Sequence, residues 1–161
     1  MVDTAPVRRL ELRAVDVADP LHWRWLLVDL DSGRHLAEHT VALDRRRWEA
    51  EALTDLHAYL RWRAEPDRRV ASEADVVTRL GEFIALEVLG PAIMAELGRP
   101  APVRLRIGVG TAPFLTALPL ELAHLDGVPL ARHERVGVSY MVASGGGHPR
   151  VPPATGVRLL A

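Results

Sequence analysis

The chain has 161 residues, a formal net charge of -1 at pH 7 and 48% hydrophobic residues. This length suits one domain with a substantial core, and the near-zero charge supplies no overall attraction to nucleic acid or anionic lipid. The sequence contains no cysteine, which excludes disulfides, thiolate zinc sites and a cysteine nucleophile provided by this chain.

The N-terminal third predicts an antiparallel meander of strands. Residues 8–15 alternate apolar and charged side chains, the period of a half-buried strand. Residues 23–30 are apolar on both faces, as expected for an inner strand. Residues 31–34 have the composition of a turn, after which residues 36–43 can return as a hairpin partner.

Two main helices are predicted next. Asp44 is placed to cap a helix whose apolar residues recur at helical spacing through about Arg63. Ser72 is placed to cap a second helix, with Asp75 in a position like that of a capping box. Gly90 and Pro91 end or interrupt that helix, and a short helical piece can follow before residue 98.

The C-terminal part predicts strands separated by connectors. Residues 103–109 and 136–142 have strand patterns, and residues 113–125 between them predict a short helix or turn. Residues 144–155 are rich in glycine and proline and predict a flexible connector. Residues 157–161 have the pattern of a beginning core strand. The whole pattern predicts an α/β fold, a mixed β-sheet with an N-terminal antiparallel meander covered by two main helices.

No apolar run approaches the roughly 20 residues that cross a bilayer, and the first six residues have no basic segment followed by an apolar stretch. We therefore expect a cytoplasmic protein that does not associate with membranes. No cofactor or metal is expected. Gly108 and Gly110 are followed by Pro113, where a nucleotide-binding fingerprint needs its third glycine, and His35 and His39 have no evident third metal ligand.

The most informative segment begins with Leu118-Pro119-Leu120-Glu121-Leu122 and continues through Asp126-Gly127-Val128-Pro129-Leu130. It resembles the Leu-Pro-x-Glu-Leu segment that precedes the catalytic half of CHAT domains, a bacterial family of caspase-like cysteine proteases. Leu120 stands where the family usually has tryptophan. The resemblance makes the following residues structural rather than catalytic: Leu118, Pro119, Glu121, Leu122, Gly127 and Leu130. Glu121 either belongs to the protease scaffold or fixes the connector by accepting backbone N–H bonds or pairing with an arginine.

In that family the catalytic histidine and cysteine lie downstream of this segment. The resemblance therefore implies a single domain over residues 1–161, in which residues 1–98 form the meander and helices and residues 99–161 begin an incomplete caspase-like portion. Such a chain would be a non-catalytic scaffold or interaction module for a protease half that it does not contain, and the parent protein would be a cysteine peptidase. We do not expect the chain by itself to be an enzyme. Residues 157–161 are expected to pair with a second copy or with a complementary chain.

Arginine and tryptophan side chains are interleaved near the first predicted helix. This candidate interaction surface comprises Arg45, Arg46, Arg47, Trp48, Arg61, Trp62 and Arg63. Such a mixture is typical of surfaces that bind nucleic acid or peptides, which makes a stand-alone binding module the alternative function. Acidic residues such as Glu49, Glu51 and Asp55 lie between the arginines and favour a solvated, self-neutralised helix face, and the net charge argues against nucleic acid as the partner.

Overall fold

The computed structural model of the chain describes residues 6–63, 69–110 and 112–141. The predicted connector at residues 144–155 and the predicted strand at residues 157–161 lie outside the described residues.

The predicted N-terminal meander is confirmed. Strands β1 (Arg8–Asp19), β2 (His22–Asp29) and β3 (His35–Ala42) pair antiparallel in succession. β1 continues four residues beyond the predicted end at residue 15, because its register with β2 shifts between Val15 and Asp19 and the pairing then resumes. β2 lies between the two other strands of the meander, as its apolar character on both faces predicted.

The remaining strands extend the meander into a mixed sheet. Strand β4 (Val103–Gly108) pairs parallel with β1. Two short strands, β5 (His124–Leu125) and β6 (Val128–Pro129), form a separate hairpin, and β7 (Val136–Met141) then pairs parallel with β4. The five-stranded sheet has the order β3-β2-β1-β4-β7. The chain is thus an α/β protein with a mixed sheet.

The first predicted helix is divided in two, α1 (Trp48–Thr54) and α2 (Leu56–Arg63). Asp44 does not cap α1, since its carboxylate accepts the N–H of Arg46 within the turn before the helix. Asp55 causes the division. It leaves the helical conformation (φ -150°, ψ 84°), and its carboxylate accepts the N–H of Ala58 at 2.9 Å, as the N-cap of a new helix does.

The second predicted helix is α3 (Arg69–Phe83), which continues into a π-helical turn over Ile84–Leu89. Because α3 begins at Arg69, Ser72 lies inside the helix and is not its N-cap. Gly90 ends the π-helical turn with φ 80°, and Pro91 starts α4 (Pro91–Leu97). Pro91 is suited to the first helical position because that N–H has no intrahelical partner. The described residues therefore form several helices in addition to the sheet.

The core lies on one face of the sheet. The buried strand residues alternate along each strand and meet the buried residues of the helices, among them Leu80, Ile84 and Ile93. Trp23 and Trp25 are central, with ring centroids 6.1 Å apart in an edge-to-face arrangement. The opposite face carries many polar side chains beside the half-buried Leu26 and Val28 of β2, and among the described residues Glu11 is the buried charged residue there.

Within the described ranges, no helix is long and apolar enough to cross a membrane.

Candidate functional site

The segment from residue 113 to residue 132 connects the two adjacent parallel strands β4 and β7. It is built from short 3-10 turns at Pro113–Ala117, Leu120–Leu122 and Leu130–Arg132, with the β5–β6 hairpin between the last two. The amide of Ala123 donates to the carbonyl of Leu120 at 3.1 Å, and the amide of Leu130 donates to Ala123 at 2.9 Å. We call residues 113–132 the connection.

The apolar residues of the Leu-Pro-Leu-Glu-Leu motif anchor the connection in the core. Leu118, Leu120 and Leu130 are buried, with 5%, 1% and 1% of their surfaces exposed, while Pro119 and Leu122 are half-buried. Full burial of a leucine side chain stabilises a fold by about 1.5–3 kcal/mol relative to exposure. The motif leucines therefore hold the connection in one place by packing.

The Asp126-Gly127 pair forms the tight turn of the β5–β6 hairpin. Asp126 has φ 53° and Gly127 has φ 77°, and Leu125 faces Val128 across the pair. Two successive residues with positive φ characterise the type I′ turn, for which Asp-Gly is a favoured sequence. Glycine suits position 127 because of its conformation.

Glu121 is hydrogen-bonded to strand β7 through Tyr140. The Tyr140 hydroxyl lies 2.7 Å from Oε2 of Glu121 and 3.2 Å from the carbonyl oxygen of Leu118. Burial raises the pKa of the Tyr140 phenol, and the Glu121 carboxylate raises it further, by the hydrogen bond and by charge repulsion of a phenolate. The neutral phenol donates to the carboxylate. This geometry matches the interpretation in which Glu121 fixes the connection, although its partner is a tyrosine rather than an arginine or a backbone amide.

The other side of the connection packs tightly against helix α3 at Gly81. A Cβ atom at Gly81 would lie 2.4 Å from the carbonyl oxygen of Leu122 and 2.9 Å from the ring of His124. Only glycine allows the backbone of α3 to approach the Leu120–Leu122 turn this closely. Leu122 and His124 are thus in contact with the helix layer, while Glu121 is joined to the sheet.

Strand β7 lies at the edge of the sheet. In its parallel ladder with β4, Val103 donates to the carbonyl of Arg135 and Val109 donates to the carbonyl of Met141. Successive residues of a parallel strand direct their backbone groups to opposite sides. Since the carbonyls of Arg135 and Met141 face β4, the N–H and C=O groups of Val138 and Tyr140 point away from it. Among the described residues, no strand pairs with this outer edge. Tyr140 and Met141 are 38% and 42% exposed.

The arginine and tryptophan surface near α1 is largely occupied by its own contacts. The Arg47 guanidinium lies 3.1 Å from Glu49 and 3.8 Å from Glu87, and its Cζ is 4.8 Å from the centre of the Phe83 ring. The Trp48 ring packs against Tyr59 at 5.5 Å between centroids and lies under the guanidinium of Arg79, whose Cζ is 4.9 Å away. These contacts hold Arg47 and Trp48 within the helix layer.

The other members of that surface are exposed, or their side chains lie outside the described part of the structure. Arg45, Arg46 and Arg61 are exposed. Trp62 and Arg63 belong to α2, but their side chains lie outside the described part of the structure. Of the seven predicted members, the structure therefore describes the side chains of five: Arg45, Arg46, Arg47, Trp48 and Arg61.

A groove of about 590 Å³ lies between the β1–β2 turn and helices α1 and α2. Its lining is mainly apolar and includes Leu21, Ala50, Ala58 and Tyr59, with Arg45 among its charged lining residues.

In the described parts of the chain, no group of three or more histidine, aspartate or glutamate side chains is placed to hold a metal ion.

Comparisons with protein-family models, curated proteins and solved structures find no match for this chain. The assignment of a function therefore depends on the motif and on the geometry of the connection.

Two residues of the site were missed by sequence reasoning. The signal for Tyr140 was present, since the alternation of β7 places Val136, Val138 and Tyr140 on the side of the sheet that faces the connection. Gly81 was not recognisable as a contact, because a glycine inside a helical pattern does not indicate which distant segment approaches it.

Proposed function

We propose that this chain is the non-catalytic N-terminal portion of a CHAT-type caspase-like protein, and that it acts as a scaffold for a protease half carrying the catalytic histidine and cysteine. The observation that carries the proposal is the folding of the Leu-Pro-Leu-Glu-Leu motif into a connection between two adjacent parallel strands, held to the second strand by the Glu121–Tyr140 hydrogen bond. The motif thus has an architectural task.

The position of β7 supports this role. A parallel strand is normally covered and paired on both sides, because its polar backbone groups and apolar side chains are costly to expose. β7 is parallel to β4 and offers the outward N–H and C=O groups of Val138 and Tyr140. A strand from the protease half can add at this edge and continue the sheet. The proposed caspase-like portion would thereby use β7 as an inner strand.

The chemistry of the chain agrees with a supporting role. A cysteine peptidase needs a thiolate, and this chain contains no cysteine. Glu121, the motif's carboxylate, is engaged by Tyr140, a hydrogen-bond donor that stabilises its position rather than preparing it for proton transfer. Peptidase activity is therefore expected only when a chain supplying the catalytic pair is present.

The proposal predicts association through the edge of β7, either between two copies or with a catalytic half expressed as a separate chain. Sedimentation velocity at micromolar concentrations measures both. Replacing Val138 by proline removes the outward N–H while leaving the ladder to β4 in place, so association is expected to weaken at least about tenfold, an equilibrium effect of roughly 1.4 kcal/mol. Val138→Ala is the matched control, because it removes similar packing and retains the N–H.

A folded Val138→Pro variant that associates as tightly as Val138→Ala contradicts the use of this edge. A chain that stays monomeric at all concentrations and does not bind a CHAT catalytic half contradicts the proposed function as a whole.

A further inference from the structure

The face of the sheet opposite the helices carries a cluster of arginines. Arg13 on β1 and Arg104 and Arg106 on β4 surround Glu11, which faces Arg106 directly in the β1–β4 register. We call these four residues the arginine face. Among the described residues, no helix covers it: the buried residues of the helices meet the other side of the sheet.

The arginine face has more positive than negative charge. Glu11 is only 5% exposed, and its carboxylate lies 2.6 Å from Arg13 and 3.2 Å from Arg106. One carboxylate is therefore shared by two guanidinium groups and offsets only one of their two positive charges. Arg104 is exposed and has no hydrogen-bond or ion-pair partner in the described parts of the chain. With three arginines and one glutamate, the cluster retains an excess of two positive charges.

The surface beside these arginines contains glycines, whose missing side chains leave room for another backbone to approach. Gly137 on β7 lies beside Arg104, and Gly108 follows Arg106 by two residues on the same face of β4. An added Cβ at Gly137 would meet nothing within 4 Å. Glycines within strands commonly mark places where another backbone comes close. A docked segment can thus lie over β7 and reach Arg104 and Arg106 from the side.

The spacing of the arginines is close to that of side chains on a helix. Arg104 and Arg106 are two residues apart along a strand, a separation of about 7 Å. Side chains three or four residues apart on a helix are separated by about 5–6 Å at Cβ and project from the same face. Long guanidinium side chains can adapt to that small difference. Arg104 can bind a carboxylate in a charge-assisted, bidentate manner, while Arg106 would share its guanidinium between Glu11 and a second carboxylate.

We infer that the arginine face binds an acidic α-helix of a partner protein, with two carboxylates one helical turn apart meeting Arg104 and Arg106. The chain's own C-terminal segment does not have this chemistry, since residues 142–161 contain no aspartate or glutamate. The inference concerns the face of the sheet rather than the edge of β7, and it does not depend on the proposed function.

Charge on the rest of the face favours a protein helix over nucleic acid. Towards β2 and β3, Arg24 pairs with Asp16 at 2.5 Å and lies 3.5 Å from Glu38. Arg9 is paired with Asp31. The excess positive charge is thus confined to a narrow strip over β1 and β4, flanked by arginines that are already paired with carboxylates, and it offers few contacts to an extended phosphate backbone. A short acidic segment fits such a strip.

The test uses a synthetic helical peptide of about 20 residues, the length of a helix of roughly 30 Å, with glutamates four residues apart. A second peptide has glutamine in place of every glutamate, and a single-stranded DNA oligonucleotide serves as the nucleic-acid probe. Fluorescence anisotropy gives Kd for the unchanged chain and for Arg104→Glu. Arg46→Glu is the matched control, because it reverses the charge of an exposed arginine that lies in the turn before α1 and does not belong to the arginine face. Thermal unfolding checks that both variants are folded.

The glutamate peptide is expected to bind the unchanged chain and Arg46→Glu equally, and to bind Arg104→Glu at least about tenfold more weakly. The inference is overturned if the glutamine peptide binds as well as the glutamate peptide, if no binding occurs, or if Arg104→Glu binds normally. Tighter binding of the oligonucleotide with the same dependence on Arg104 assigns the face to nucleic acid instead. Self-association that is lost in Arg104→Glu assigns it to a second copy.

Discussion

The hydroxyl of Tyr140 donates a 2.7 Å hydrogen bond to the Glu121 carboxylate and lies 3.2 Å from the carbonyl oxygen of Leu118. One side chain of strand β7 is thereby joined to both ends of the Leu-Pro-Leu-Glu segment that precedes it. The position of the edge strand and the conformation of the connection consequently depend on each other. A change at either residue is expected to affect both.

Replacing Tyr140 by phenylalanine should lower the free energy of unfolding by about 1 kcal/mol, the usual net value of one hydrogen bond. The ring and its packing remain, so the change reports the hydroxyl. Urea unfolding measures it. Ser139→Ala is the control. Ser139 is an exposed strand residue whose hydroxyl lies 3.4 Å from the carbonyl oxygen of Leu105, and loss of this hydroxyl should cost less than about 0.5 kcal/mol. Equal effects of the two substitutions would show that the Tyr140 hydroxyl has no special role.

Stability should decline at alkaline pH because of Tyr140. Its pKa in the folded protein is raised above the ordinary value of 10.0, so the folded chain keeps this proton at a pH where the unfolded chain loses it. The contribution is fully present below about pH 10 and is lost as pH rises further. The chain contains no lysine, which leaves tyrosine as the main group that titrates there. Unfolding free energies measured as a function of pH should fall less steeply for Tyr140→Phe.

A direct titration of the phenol can be made in the Tyr59→Phe variant. The chain contains two tyrosines, so this variant retains Tyr140 alone. The ultraviolet absorbance of the phenolate should develop above pH 10 in the folded protein and at an ordinary pKa after unfolding in urea. Titration of the folded variant at the ordinary pKa would contradict the partly buried, carboxylate-bonded position of the phenol.

Gly81→Ala should destabilise the protein by about 1–3 kcal/mol, the usual cost of overpacking. In an exposed helix the same substitution would stabilise by up to about 1 kcal/mol, so the sign of the change is decided by tertiary contacts. The new Cβ would lie 2.4 Å from a backbone carbonyl oxygen, that of Leu122, which cannot rotate away as a side chain can. Gly137→Ala is the control, since its Cβ would meet nothing within 4 Å. Thermal unfolding that gives the same result for both would refute the close packing of α3 on the connection.

Gly127→Ala should destabilise the β5–β6 hairpin by about 1–2 kcal/mol, because a residue with a Cβ atom is strained at φ 77°. Gly127→Asn should lose less, since asparagine adopts positive φ more readily than alanine. Hydrogen exchange at the amide of Leu130, which donates to Ala123 beside the hairpin, reports the local effect. Equal protection in the two variants would indicate that backbone strain is not the cause.

Single-stranded DNA should not bind through the surface around α1. Arg47 is already paired with Glu49 and Glu87, and Trp48 is packed against Tyr59 and Arg79, so binding of phosphate or a base would have to compete with these contacts. Anisotropy titrations at low and high salt test this. Affinity that falls steeply with salt and is reduced in Arg45→Glu would instead favour the nucleic-acid-binding alternative.

The local elements were largely predictable because they depend on the order of apolar and polar residues. The alternation over residues 8–15 predicted β1, and the run over residues 23–30 that is apolar on both faces predicted β2. Gly90-Pro91 separated α4 from the helix before it. The division of the first helix at Asp55 was missed, since an aspartate within a helical pattern caps a new helix only where the chain can change direction there.

By itself, the sequence determined an α/β chain without a cysteine nucleophile and the N-terminal meander. Only the tertiary structure decided that β4 lies beside β1, that Glu121 is bonded to Tyr140, and that Arg13 and Arg106 share Glu11. The physical reason is that periodicity reports which side of an element is buried. Strand order and side-chain partners depend on contacts between residues that are distant in the sequence, and these form only when the whole core packs.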